Sequence, residues 1–179
     1  MLVRTWKKSL RLTLKRLASV RRAVKVAVIG IGHPLCGDDA VGVVVARVLR
    51  PLAQGQASLL IIDAGAAPEN CTGTLRRFQP DLILMIDAAQ MALPCGAIRW
   101  LDWHEITGVS ASTHALPLSM FASYIIAELG CEIAMLGVQP DSTSLCPTLS
   151  PAIKQAACRL TGELAYRLRI ERVPVRSSL

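Results

Sequence analysis

Short apolar segments that alternate with helical segments constrain the fold of this chain more than any other feature. Segments with strand character lie at Ala23–Ile29, Leu59–Ile62, Leu82–Ile86 and Glu132–Val138, with a weaker one at Ala97–Leu101. Helical patterns lie at Ala40–Leu49, Leu116–Leu129 and Pro151–Arg169. Strands that are apolar on both faces are typical of parallel sheets covered by helices on both sides. The pattern therefore predicts an α/β protein, a three-layer α/β/α sandwich around a mostly parallel twisted sheet.

Composition and charge narrow the possible partners. The chain has 179 residues, of which 52% are hydrophobic and 4% aromatic. Such an apolar chain can form a sizeable core, while so few aromatic side chains argue against stacking on nucleic-acid bases. The net charge of +7 is concentrated at the start, because residues 1–25 hold nine of the 20 Lys and Arg and no acid. The remainder is mildly acidic, so we expect no nucleic-acid partner.

The first 23 residues form a basic amphipathic extension. Apolar residues spaced three or four apart form a helical stripe, consisting of Val3, Trp6, Leu10, Leu14 and Leu17. Such a helix could contact an anionic membrane, dock on a partner or remain a solvated extension. We expect residues 24–170 to form the domain and residues 171–179 a C-terminal tail. No secretory segment and no disulfide framework is evident, which predicts a cytoplasmic protein.

Carboxylates follow three of the apolar segments. Asp38 and Asp39 come after the first, Asp63 ends the second and Asp87 ends the third. The carboxyl ends of parallel strands meet at one edge of a sheet, which is where ligands bind. Clustered carboxylates point to a metal site or to acid–base chemistry. Each also has a structural alternative, since Asp38 could cap the following helix, Asp39 could complement the helix dipole, and Asp63 or Asp87 could be a turn residue.

Two histidines could join these carboxylates. His114 lies in a polar loop before a helix, and beside two carboxylates it would complete a nitrogen and oxygen ligand set suited to zinc or nickel. His33 lies in the glycine-rich loop after the first strand and could reach the same site. A lone loop histidine is also compatible with a purely structural role.

The glycine-rich loop has a nucleotide-binding alternative. Gly30 and Gly32 begin a dinucleotide-binding fingerprint, but Leu35 stands where the third glycine belongs. The acids that open the following helix would also repel a pyrophosphate. This alternative is therefore the weaker one, and we expect no organic cofactor.

Several sequence blocks together resemble one known family. The opening block is GIGHPLCGDDAVG at 30–42, and the later blocks are IDAGAAPEN at 62–70, IDAA at 86–89, STHALPL at 112–118 and LGVQPD at 136–141. In this order they resemble the [NiFe]-hydrogenase maturation endopeptidases, and are most similar to the branch that processes the large subunit of formate-hydrogenlyase-type hydrogenases. His33, where relatives usually carry Asn, and Cys36 depart from the family pattern.

The resemblance implies a fold, an activity and a site. Family members have an α/β/α sandwich fold and remove a C-terminal peptide from the large-subunit precursor after nickel insertion. The implied metal-contacting residues are Asp39, Asp87 and His114, with nickel supplied by the substrate. Asp39 or Asp87 would activate water directly, as in an aspartic-type peptidase, or a bound metal would lower the pKa of the water. His33, Asp38 and Asp63 are possible supporting residues.

A non-catalytic alternative also fits these residues. The same site could belong to a nickel-sensing chaperone that holds the large subunit without cutting it. A mass change at the C-terminus of the partner separates the two hypotheses.

Overall fold

The computed structural model describes residues 5–106, 117–141 and 148–168. The strands are β1 (Val26–Ile31), β2 (Leu59–Gly65), β3 (Leu82–Ala88), β4 (Ile98–Asp102) and β5 (Glu132–Val138). The helices are α1 (Trp6–Val20), α2 (Val41–Leu52), α3 (Thr72–Phe78), α4 (Leu118–Leu129) and α5 (Pro151–Arg167). Short 3-10 turns at Gly37–Ala40, Pro68–Cys71 and Trp103–Glu105 precede or follow these elements.

The five strands form one sheet in the order β2-β1-β3-β5-β4. β1 pairs in parallel with β2 and β3, and β3 pairs in parallel with β5. β4 is antiparallel to β5 and forms one edge. The carboxyl ends of β1, β2, β3 and β5 therefore lie on the same side of the sheet, as expected for a mostly parallel sheet.

Alternate residues of each strand pack into separate layers. On β1, Val26 and Val28 belong to a cluster that includes buried residues of α1, α2 and α5. Ala27 and Ile29 belong to a second cluster with buried residues of α3 and α4. Helices thus cover both faces, which is why the strands are apolar throughout. The predicted three-layer α/β/α sandwich is confirmed.

Helix α1 packs against the rest of the protein. Trp6, Leu10 and Leu17 are buried in the cluster shared with α2 and α5. Ion pairs from Lys7 to Glu163, from Arg16 to Glu132 and from Arg21 to Asp81 fasten the helix along its length. The predicted helical stripe is confirmed from Trp6 to Leu17, where it faces the core while exposed basic residues lie on the outer side, and Val3 lies outside the described residues.

Two details of the helices differ from the sequence-based expectation. α2 starts at Val41 and continues to Leu52, so Pro51 lies in its last turn and does not end it. Proline is tolerated there because little helix follows it. The short α3 was not predicted, since it buries only Leu75 and carries no extended apolar stripe. Within the described residues, no helix is long and apolar enough to span a membrane.

Candidate active site

Close backbone packing shapes the loop between β1 and α2. Gly32 has a φ of +134°, and a Cβ there would lie 1.8 Å from the carbonyl oxygen of Asp39. A Cβ on Gly30 would lie 2.1 Å from the carbonyl oxygen of Gly42, on the first turn of α2. Only glycine allows such approaches. These glycines therefore bring the loop and α2 against the sheet, which accounts for the pattern that resembled a nucleotide-binding fingerprint.

Asp39 lies in the 3-10 turn that leads into α2. It is buried, and its Oδ2 accepts a hydrogen bond of 2.6 Å from the backbone N–H of His33. The amide of Asp39 itself donates to the carbonyl of Cys36 at 3.0 Å. The loop thus fixes both the carboxylate and the backbone of Asp39.

Asp87 lies on β3, near its carboxyl end. It has no exposed surface, and its Oδ1 accepts a hydrogen bond of 2.9 Å from the backbone N–H of Ala88. Its strand neighbour in β5 is Gly137, which has no side chain to cover the carboxylate from that strand. A fully buried carboxylate is costly to keep charged unless other groups or a ligand stabilise it, which makes Asp87 a candidate functional residue.

The segments that carry Asp39 and Asp87 are brought together by the packing of α2 on β3. The 3-10 turn of Asp39 contacts β3. A Cβ on Gly42 would lie 2.0 Å from the carbonyl oxygen of Ile86, the residue before Asp87. Two aspartates that are 48 positions apart in the chain therefore come from adjoining segments at the carboxyl side of the sheet, and their joining in one site stays a prediction.

Asp38 has a different role from its neighbour. Its Oδ2 accepts a hydrogen bond of 2.9 Å from the backbone N–H of Asp141, and its Oδ1 accepts one of 2.7 Å from that of Ser150. No side chain caps α2, so the helix-cap alternative for Asp38 is wrong. Asp38 instead ties the segment after β5 and the start of α5 to the loop that holds Asp39.

Asp63 is held by an ion pair beside this region. Its Oδ2 accepts a hydrogen bond of 2.7 Å from Nε of Arg47, and its Oδ1 accepts one of 3.2 Å from the amide of Gly65. Asp63 lies opposite Gly30 in the sheet, on the outer strand β2. Its contacts fit a structural role at the end of β2, and a supporting role in chemistry stays a prediction.

Of the two candidate histidines, the structure describes only His33. The imidazole of His33 is exposed, and its Nδ1 accepts a hydrogen bond of 3.3 Å from the amide of Leu35. The contact that His33 makes with Asp39 comes from its backbone. His114 lies outside the described residues, so its placement beside the carboxylates stays a prediction.

The side chains of Asp39 and Asp87 are suitable ligands for a divalent metal ion. Asp39 and Asp87 offer carboxylate oxygens, which together with an imidazole nitrogen suit a borderline divalent ion such as nickel. Within residues 5–106, 117–141 and 148–168, no three side chains of His, Cys, Asp or Glu are grouped so as to hold a metal ion. The ligand set of Asp39, Asp87 and His114 therefore stays a prediction.

Gln139, directly after β5, organises the neighbouring loop and was not singled out from the sequence. Its buried side chain accepts hydrogen bonds from the amides of Met91 and Leu93, at 2.7 and 3.3 Å. It also donates to the side-chain oxygen of Gln90 at 2.9 Å. These contacts connect β5 to the loop that follows Asp87. Only its place within the LGVQPD block hinted at this role.

Two buried cysteines are poor nucleophiles. Burial, reinforced by the nearby charges of Glu69 and Asp63, raises the pKa of Cys71 to about 11. Burial likewise raises the pKa of Cys131 to about 11. Because a thiolate is the reactive form, both residues are inert at neutral pH.

Comparison with known proteins identifies the family. The family model described as HycI, hydrogenase maturation protease, matches residues 43–165. A putative hydrogenase maturation protease of Methanocaldococcus jannaschii is 34% identical over 154 residues, covering 83% of this chain and 90% of that protein. The hydrogenase 3 maturation protease of Escherichia coli strain K12 is 32% identical over 127 residues, covering 70% and 80%.

A solved structure supports the same family assignment. The crystal structure of the [NiFe] hydrogenase maturation protease HycI from Thermococcus kodakarensis KOD1 superimposes with a TM-score of 0.74 at 37% identity. The match covers 82% of this chain and 93% of that one. The chain therefore belongs to the hydrogenase maturation protease family.

Proposed function

We propose that this protein is a cytoplasmic endopeptidase that removes a C-terminal peptide from a [NiFe]-hydrogenase large-subunit precursor after nickel insertion. The observation that carries the proposal is the pair of buried aspartates, Asp39 and Asp87, on adjoining segments at the carboxyl side of the sheet. In a chain of the hydrogenase maturation protease family, this pair is the part of the described structure best suited to peptide hydrolysis.

Recognition in this proposal depends on the nickel that the precursor already holds. Asp39, Asp87 and His114 complete the coordination of that ion, which is part of the substrate. Binding through the ion positions the scissile peptide, and such positioning supplies a large share of the rate. A precursor without nickel lacks the group that the carboxylates bind, so it is not processed.

The carboxylates also move the protons of hydrolysis. One aspartate accepts a proton from the attacking water, and the proton is then delivered to the leaving amine. Asp39 suits the base role because the amide of His33 fixes the orientation of its carboxylate. When the nickel ion is near the water, it lowers the pKa of that water and aids the same step.

Cleavage assays test this proposal. Purified precursor, loaded with nickel or free of it, is incubated with the parent protein and with Asp39→Asn, Asp87→Asn and His114→Ala, and its mass is measured. We expect loss of the C-terminal peptide only from nickel-loaded precursor, and at least a hundredfold slower cleavage with each variant. Asp102→Asn is the matched control, since Asp102 lies on β4 opposite Ala134, near the amino end of β5 and away from the carboxyl side of the sheet, and it should retain most of the activity.

Each outcome has a defined meaning. Normal cleavage by all three variants would show that the site is elsewhere. Tight, nickel-dependent binding of the precursor by the parent protein without any change in mass would favour the chaperone function. Thermal unfolding of every variant establishes that lost activity does not come from lost folding.

A further inference from the structure

A groove lies on the side of the molecule opposite the carboxyl ends of the strands. It has a volume of about 640 Å³ and lies between α1, the beginnings of β1 and β2, and the end of α5. A second depression of about 330 Å³, lined by Arg11, Leu14, Tyr166 and Arg167, shares Leu14 and Arg167 with the first. Together they form one continuous surface, here called the α1 groove, with a volume in the range of known ligand sites.

The α1 groove combines apolar and basic side chains. Leu14, Val24 and Leu168 are partly exposed and contribute apolar surface, whereas Arg11, Lys15 and Arg167 contribute positive charge. No Asp or Glu is among the described residues that line it. Such a surface suits a ligand that is apolar on one side and negatively charged on the other.

The basic residues of α1 and of its C-terminal cap fall into two groups, those that form ion pairs and those that do not. Lys7, Arg16 and Arg21 form the ion pairs that fasten the helix. Arg11 and Lys15 are exposed, and among the described residues neither has an ion-pair partner. Their charges are therefore available to an incoming group without disturbing the attachment of α1.

Arg167 adds a buried donor to this surface. Its Nη2 lies 2.5 Å from Oε1 of Glu163, but its Nε is buried and has no hydrogen-bond acceptor. A buried donor without an acceptor is destabilising. A rotation of the Arg167 side chain that exposed Nε to a bound carboxylate would satisfy this donor.

We infer that the α1 groove binds an acidic, amphipathic segment of a protein partner. The groove is concave, which fits a peptide better than the flat surface of a bilayer, and the apolar stripe of α1 is already buried in the core. The C-terminal residues 169–179 of this chain are a poor occupant, because they contain three Arg and one Glu. This inference is independent of the proposed peptidase activity.

Fluorescence anisotropy with synthetic peptides tests the inference. The probe is a labelled 14-residue amphipathic peptide of Leu and Glu, compared with the same peptide carrying Lys in place of Glu. We expect the acidic peptide to bind, binding to weaken with added salt, and Arg11→Glu/Lys15→Glu to reduce the affinity at least tenfold. Arg50→Glu/Lys154→Glu is the matched control, since it changes the net charge equally at exposed positions outside the groove.

Further measurements separate the alternatives. Ala18→Trp should fill the groove and weaken binding of the acidic peptide without changing charge, while circular dichroism confirms that each variant is folded. Equal binding of the Glu and Lys peptides, or equal loss in the matched control, would overturn the inference. Sedimentation of the parent protein with anionic vesicles, lost in Arg11→Glu/Lys15→Glu and without peptide binding, would identify a membrane surface and also overturn it.

Discussion

Adjacent aspartates in the loop after β1 have separate tasks because their surroundings differ. Asp38 accepts hydrogen bonds from two backbone amides, whereas Asp39 is held by the amide of His33, in a turn that contacts β3. The first arrangement stabilises the fold. The second orients a carboxylate within the candidate active site, so substitutions at the two positions should separate stability from catalysis.

Asp38→Asn should lower the free energy of unfolding by about 1–3 kcal/mol. The asparagine amide can accept from one backbone N–H, but it presents a donor to the other, leaving buried groups unsatisfied. Chemical denaturation measures the loss. Asp141→Asn is the control, since it removes the same charge from an exposed side chain and keeps the backbone amide that Asp38 binds. An equal effect of both variants would contradict the assigned role.

The sequence located the acidic residues but could not divide their roles. Asp39 and Asp87 were selected because both follow apolar strands, and strand ends converge in any parallel sheet. The amides that bind Asp38 lie 103 and 112 positions away, so no local pattern could reveal them. The ion pair between Asp63 and Arg47 is likewise a product of how α2 packs beside β2.

At the scale of elements, α1 is an integral part of the core. Leu10 is fully buried, so Leu10→Ala should cost about 2–4 kcal/mol through lost burial and the cavity that remains. Leu12, two positions later, is 36% exposed, and Leu12→Ala should cost less than about 1 kcal/mol. Denaturant unfolding of the two variants measures the difference. Equal losses of stability in Leu10→Ala and Leu12→Ala would mean that α1 is not part of the core.

The contact between α1 and α5 should depend on pH. The hydrogen bond from Lys7, together with that from Arg167, lowers the pKa of Glu163 below its usual range. A carboxyl with a lowered folded-state pKa adds stability above its unfolded pKa, roughly 4.3, and this stability is lost as the pH falls through the folded-state pKa. Glu163→Gln should therefore reduce stability at pH 7 by less than about 1 kcal/mol, and the difference should shrink as the pH falls below the unfolded pKa.

Unfolding curves for Glu163→Gln and the parent protein at pH 3, 5 and 7 test this dependence. A stability difference that stayed constant across this range would mean that the charge of Glu163 is not involved. Glu105→Gln is a useful reference, because Glu105 pairs with Arg99 on β4 instead of with a residue of α1.

Elements with a strong periodic pattern could be predicted, and those without one could not. The β5 bounds matched the apolar run at Glu132–Val138, and the apolar stripe correctly indicated a helix from Trp6 to Leu17. The stripe did not predict which surface the helix would contact, because the apolar side of a helix can cover a core, a partner or a membrane equally well. The unpredicted α3 buries too little surface to produce a readable pattern.

At the scale of the whole molecule, alternation of strands and helices was sufficient for the fold class. It was not sufficient for the strand order β2-β1-β3-β5-β4 or for the antiparallel direction of β4. Those features depend on contacts between segments distant in sequence. The site inherits this dependence, since Asp39 and Asp87 adjoin only because α2 lies close against β3.

Gly42 is where this close packing can be tested. A Cβ there would lie 2.0 Å from the carbonyl oxygen of Ile86 and 2.4 Å from that of Ile31, so Gly42→Ala must push α2 away from the sheet. Although alanine favours helix, we expect a net loss of about 3 kcal/mol and slower cleavage, because the shift separates Asp39 from Asp87. Gly162→Ala in α5 is the control, with nothing within 4 Å of its Cβ, and it should gain roughly 0.5–1 kcal/mol. Thermal unfolding and cleavage assays on both variants measure the outcome, and a Gly42→Ala protein as stable and active as the parent would show that close contact of α2 with β3 does not build the site.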